Sequence, residues 1–104
     1  MQWKKPWFVD SLAESDSEMA QALERVIELA MGPGVLELKT KLLIVLALDA
    51  FKGAERGVAA VAEQARQAGA TEEEIREVLR IAYLIAGMDC LRAGSRAYIR
   101  DVQG

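Results

Sequence analysis

The chain has 104 residues, 52% of them hydrophobic and only 6% aromatic, with 13 basic against 16 acidic side chains for a formal net charge of −3. That length fits one domain, and that charge balance argues against a general affinity for nucleic acid, the short basic "WKKPW" near the start notwithstanding. The absence of histidine and the single cysteine exclude a Ser-His-Asp or Cys-His nucleophile, a histidine base, a zinc site of His and Cys ligands, and any intrachain disulfide or CxxC pair.

Residues 1–14 read as a lead-in, irregular or briefly helical, anchored by Trp3, Trp7 and Phe8. Terminal aromatics of this kind pack on their own domain or on a neighbouring subunit. "SDSE" at Ser15 to Glu18 has the form of a capping box, and a helix from there to Met31 carries Met19, Ala22, Leu23, Val26, Ile27, Ala30 and Met31 at helical period. "GPG" at Gly32 to Gly34 ends it.

The next helix is predicted over Leu36 to Phe51. Its segment "LLIVLAL", Leu42 to Leu48, is apolar on every side, so a fully buried helix is expected, with a strand as the less favoured alternative. After a break at Gly53, a helix over Glu55 to Ala68 turns Val58, Val61, Ala62 and Ala65 inward and stops at Gly69. Thr71 then caps a helix with Glu74 three residues on, and Glu72, Glu73 and Glu74 suit the positive end of its dipole. Its apolar stripe is Ile75, Val78, Leu79, Ala82 and Tyr83. Gly87 is predicted to bend the chain into a last helix, Asp89 to Val102. The fold expected is all-α, a bundle of five to six helices with its domain over residues 15–102. No apolar run reaches the roughly 18 residues of a membrane span, and the first residues lack a signal-peptide pattern, so a cytoplasmic location is expected.

The order "LELKTKLLIVLALDAFKG", a small-residue helix ending "ARQAG", then "TEEEIREVLRIAYLIAGM" resembles the carboxymuconolactone decarboxylase and alkylhydroperoxidase D-like family over about Ser11 to Tyr98. "LKTKLLIVLAL" and "QAGATEEEIREVL" carry most of that resemblance. It implies an alkylhydroperoxidase D-like bundle and association as dimers that build trimers or hexamers. In redox members a glutamate early in the apolar helix is followed after twelve residues by a CxxC, with a histidine four residues past the second cysteine. The CxxC at a helix start supplies a low-pKa thiolate and a resolving thiol, and the other two groups relay protons. The matching positions here are Leu42, Ala54, Gly57 and Val61. None carries the required group, and the histidine that decarboxylase members generally keep is missing as well.

The remaining candidates are few. Cys90, in "GMDCLRAG", is either a small buried hydrophobe or, at a helix start beside Arg92, a reactive or intersubunit thiol. Asp49 ends an apolar run and needs solvent, a partner or a ligand, as an ion pair with Lys52 or Arg56 or as a general base. Glu55 and Arg56 fill the middle of the lost CxxC, either as an exposed first helical turn or as a polar lining for a small ligand. Arg92, Arg96 and Arg100 recur at four-residue spacing, a solvated stripe or an anion site, and no phosphate-binding loop accompanies them. No cofactor and no metal is expected. The function expected is that of a family member without the thiol peroxidase site, forming a homo-oligomer that binds a small molecule or serves assembly. The alternatives are an enzyme with a relocated active site and a subunit of a mixed oligomer with a catalytic paralogue.

Overall fold

The computed structural model describes residues 3–98. Five α-helices follow one another: α1 (Phe8–Ser15), α2 (Ser17–Met31), α3 (Leu38–Lys52), α4 (Glu55–Gln67) and α5 (Glu72–Gly94), with a 3-10 turn over Ser95–Tyr98. The described residues contain no strand, and the fold is all-α as expected.

Most helix ends are set by local chemistry. Asp16, at φ −152°, separates α1 from α2, and its carboxylate accepts from the Met19 backbone N–H at 3.0 Å. The capping box expected at Ser15 therefore does not form. Ser15 closes α1 instead, its hydroxyl donating to the Leu12 carbonyl at 3.3 Å. Gly53 ends α3 at φ +76°, where a β-carbon would be strained. At the start of α5 the expected box is complete: the Glu74 N–H donates to Thr71 Oγ1 at 3.1 Å, and the Thr71 N–H donates to Glu74 Oε1 at 2.8 Å.

The core lies between α3, α4 and α5. Leu42, Leu46, Val61, Ala62, Ala65, Ala70 and Ile75 form one buried cluster, with Trp3, Met31, Leu38, Leu43, Val45, Val58, Ala68 and Val78 packed around it. Its alanines let the helices approach closely, and its apolar area drives their docking. Two ion pairs pin the same layer at its edge. Lys39 Nζ reaches Glu74 Oε2 at 3.1 Å, tying α3 to α5, and Arg66 holds Glu72 through two hydrogen bonds of 2.7 and 3.0 Å, tying α4 to α5. The α1–α2 hairpin stands apart, packed mainly on itself around Val9 and Ala20.

Two expectations are corrected here. The chain does not bend at Gly87, because α5 runs unbroken to Gly94, an isolated glycine costing a helix about 1 kcal/mol without stopping it. The helix end expected at Val102 lies outside the described residues. Nor is the Leu42–Leu48 segment fully buried: Leu42 and Leu46 are, while Ile44 and Leu48 are about half exposed. The protomer is correspondingly open. Its radius of gyration is 18.2 Å with extents of 56 × 36 × 26 Å, whereas a compact chain of this length would measure about 13 Å.

The capping box and its ion pair give a direct expectation. Thr71→Ala should lower stability by about 1 kcal/mol in urea unfolding. The hydrogen bond from the Thr71 backbone, and then that from Lys39, hold the Glu74 carboxyl below its ordinary value of 4.5, and the hydrogen bond from Arg66 does the same for Glu72. A carboxyl lowered in the folded state stabilises above its unfolded value and loses that contribution as pH falls through the folded one. The thermal midpoint should therefore drop below about pH 4.5, and Glu72→Gln with Glu74→Gln should flatten that part of the pH profile.

Candidate functional site

The corner where α3 gives way to α4 gathers the positions that the sequence singled out. Gly53 turns the chain, the Ala54 N–H donates to the Asp49 carbonyl at 2.9 Å, and α4 starts at Glu55. Glu55 and Arg56 occupy the exposed first turn of α4, and Ala54 and Gly57 flank them, both half-buried. Beneath this corner Leu42 and Val61 sit in the core cluster, at 0% and 3% exposure. The floor of the corner is thus solid hydrocarbon. A carboxylate at position 42 or an imidazole at position 61 would be desolvated there, at a cost of several kcal/mol without a hydrogen-bonding partner.

Asp49 takes up an arrangement that its sequence context does not reveal. It forms no ion pair with Lys52 or Arg56 among the described residues. Its half-buried carboxylate instead lies against Gly57 in the first turn of α4: a β-carbon on Gly57 would stand 2.7 Å from Asp49 Oδ2 and 3.1 Å from Cγ. A negative group there faces the positive end of the α4 dipole. Glycine at position 57 is the condition for that approach, because the backbone of α4 can come near the carboxylate only where no side chain intervenes.

Cys90 belongs elsewhere. It is exposed and lies four residues before the end of α5, at the negative rather than the positive end of a helix dipole. It is therefore neither buried within this protomer nor placed at a helix start. Arg92 is engaged by Asp89 at 2.9 Å, and Arg100 lies outside the described residues. Among the described residues no cluster of Asp, Glu and Cys side chains is arranged to hold a metal ion.

A cleft between α2 and α3, about 510 Å³ in volume, is not legible in the sequence; it is walled by Trp3, Ile27, Met31 and Leu38 and edged by Lys5, Glu28, Glu37 and Lys41. Lys41 Nζ donates to the Gly32 carbonyl at 2.6 Å, bracing the turn that joins the two helices. Lys5 pairs with Glu24 at 3.0 Å on the opposite edge. The cleft is open to solvent and lined by charged as well as apolar side chains, Glu24, Glu28 and Glu37 among them. The only hint in the sequence was "GPG" followed seven residues later by a lysine, a pattern too common to act on.

The packing of Asp49 on Gly57 has a measurable consequence. Gly57→Ala should push the Asp49 side chain aside, at a cost that offsets the roughly 1 kcal/mol by which alanine favours a helix over glycine. In an Asp49→Ala background the same change should cost far less, giving a coupling of at least about 0.5 kcal/mol in a double-mutant cycle followed by urea unfolding.

The chain matches the model of the carboxymuconolactone decarboxylase family over residues 17–99, which takes in everything from the start of α2 to the end of the 3-10 turn. No curated protein and no solved structure matches it. A match across most of the chain, on the α3–α4–α5 layer that forms its core, means that this protein belongs to the carboxymuconolactone decarboxylase family.

Proposed function

We propose that this protein is a self-assembling, cytoplasmic member of its family that carries out no thiol peroxidase chemistry. The observation that carries this reading is the occupation of positions 42 and 61 by Leu42 and Val61, both built into the hydrophobic core, in a chain with no histidine and one cysteine. Peroxide reduction by a dithiol needs a thiolate, a resolving thiol and a proton donor in one pocket. Here the corner offers one half-buried carboxylate, Asp49, set against Gly57, and no nucleophile beside it. Support for assembly comes from the open shape of the protomer and its exposed apolar side chains, among them Leu29, Val35, Leu48, Leu84 and Leu91. A chain this short buries only part of its apolar surface, and association covers more of it.

A second reading, retention of a small organic molecule, is favoured by the cleft of about 510 Å³ between α2 and α3. It is compatible with the first, because a subunit can both assemble and hold a ligand. A native mass spectrum of protein purified from its own cells addresses it directly. Subunits carrying a constant added mass support ligand retention, and bare subunits remove it.

The chemical claim predicts that purified protein, given a hydroperoxide and a common dithiol, shows no turnover above the protein-free rate. Protein-dependent turnover abolished by Cys90→Ser would overturn it and assign the chemistry to that exposed thiol. Without such turnover, Cys90→Ser should leave helical content and particle size unchanged.

A further inference from the structure

We infer that the cleft between α2 and α3 takes a small organic cation, an amine or ammonium group on an apolar body. This rests on the ligand-retention reading above and names the chemical class. The cleft, about 510 Å³ in volume, has room for such a molecule. Its lining sets two lysines against three glutamates, and both lysines are engaged within the chain. Lys5 Nζ pairs with Glu24 at 3.0 Å, and Lys41 Nζ donates to the Gly32 carbonyl at 2.6 Å. Glu28 and Glu37 form no ion pair among the described residues. Of the other bases close in sequence to the lining, Lys39 is held by Glu74 at 3.1 Å, and Lys4 and Arg25 do not line the cleft. The excess charge of the lining is therefore negative.

Two further features point the same way. Helix α2 ends in the cleft: Met31 is its last residue and Gly32 its C-cap, and both line the cavity, so the negative end of the helix dipole meets it. The Glu28 side chain lies over this end, where a β-carbon on Gly32 would stand 2.9 Å from Glu28 Oε1 and collide with the Glu28 carbonyl. A carboxylate beside the negative end of a helix is unfavourable alone, and a cation offsets both. Lys41 is one such cation, and the third glutamate of the lining calls for another. Trp3 supplies the aromatic wall. It is half-buried and packs against the core cluster, and the neighbouring Lys4 N–H donates to Gln64 Oε1 at 3.0 Å, which fixes the lead-in on α4. An indole attracts a cation that an apolar body carries into contact with it. An anion in the same cleft would meet Glu28, Glu37 and the end of α2, all of which repel it.

The test is calorimetric titration of the full chain with benzyltrimethylammonium, benzyl alcohol and phenylacetate. Trp3 emission is followed in parallel in a Trp7→Phe background, Trp7 being exposed and outside the cleft. Benzyltrimethylammonium should bind saturably, move the Trp3 emission and exceed phenylacetate in affinity by at least about 10-fold. Glu28→Gln with Glu37→Gln should weaken the cation by at least about 10-fold and leave the weaker binding of benzyl alcohol unchanged. Both positions are exposed, so helical content by circular dichroism should stay at the wild-type value. Trp3→Leu should also weaken the cation, by about 5-fold or more. If phenylacetate or benzyl alcohol binds as tightly as the cation, or the double glutamine variant keeps wild-type affinity, the cation class is wrong while ligand retention stands. If none of the three moves the Trp3 emission up to about 10 mM, a concentration above any useful affinity, the cleft is not the site. A constant added mass in the native spectrum would then keep retention and place it elsewhere, and bare subunits would remove both.

Discussion

The fold depends on how much apolar surface α3 presents. Its sequence, Leu38 to Lys52, is hydrophobic nearly all round, and one chain of this length can supply only α4 and α5 to cover it. Leu42 and Leu46 meet that pair and vanish into the core, whereas Ile44 and Leu48 look outward. Everything nearby follows from this division. The alanines of α4 permit close docking, the Gly53 turn returns the chain at once onto the buried side, and the Thr71 box with Lys39 and Arg66 fixes where α5 begins. The hairpin α1–α2 is then left with little to pack on except itself.

The same division decides what the α3–α4 corner can do. In a buried layer of Leu, Val and Ala, polar groups survive only if hydrogen-bonded. Leu42 and Val61 fill the ground beneath the start of α4 with side chains that need no partner, which stabilises the layer and removes the means of moving a proton there. Polar chemistry is displaced to the margins: Asp49 at the lip of the corner, and the Trp3-walled cleft on the far side of α3.

What the sequence made legible was whatever short-range physics decides. The Thr71 to Glu74 box, the stop at Gly69 and the inward face of α4 all involve residues within one or two turns of each other, and all appear as read. Two competing local options were harder. Ser15 and Asp16 can each cap α2, and the outcome turns on which residue leaves the helical path, a matter of how α1 packs against α2. Gly87 could bend a helix or merely sit in one, and only the continuity of α5 distinguishes these. The site posed a different difficulty. That Asp49 would ignore Lys52 and Arg56 and lie on Gly57 depends on the turn angle at Gly53, which orients two helices at once. The placement of Cys90 differs from expectation for a related reason: with no bend at Gly87, it lies toward the end of α5 rather than at a helix start, and on the surface of the protomer.

The contact between Asp49 and Gly57 also constrains the order in which this corner can change. A β-carbon at position 57 would stand 2.7 Å from Asp49 Oδ2, so any side chain there requires the carboxylate to swing aside. Shortening Asp49 alone removes a negative charge set against the start of α4, leaving that of Glu55 in its first turn. The two positions are therefore coupled, and a change at one alters the cost of a change at the other, through sterics on one side and electrostatics on the other.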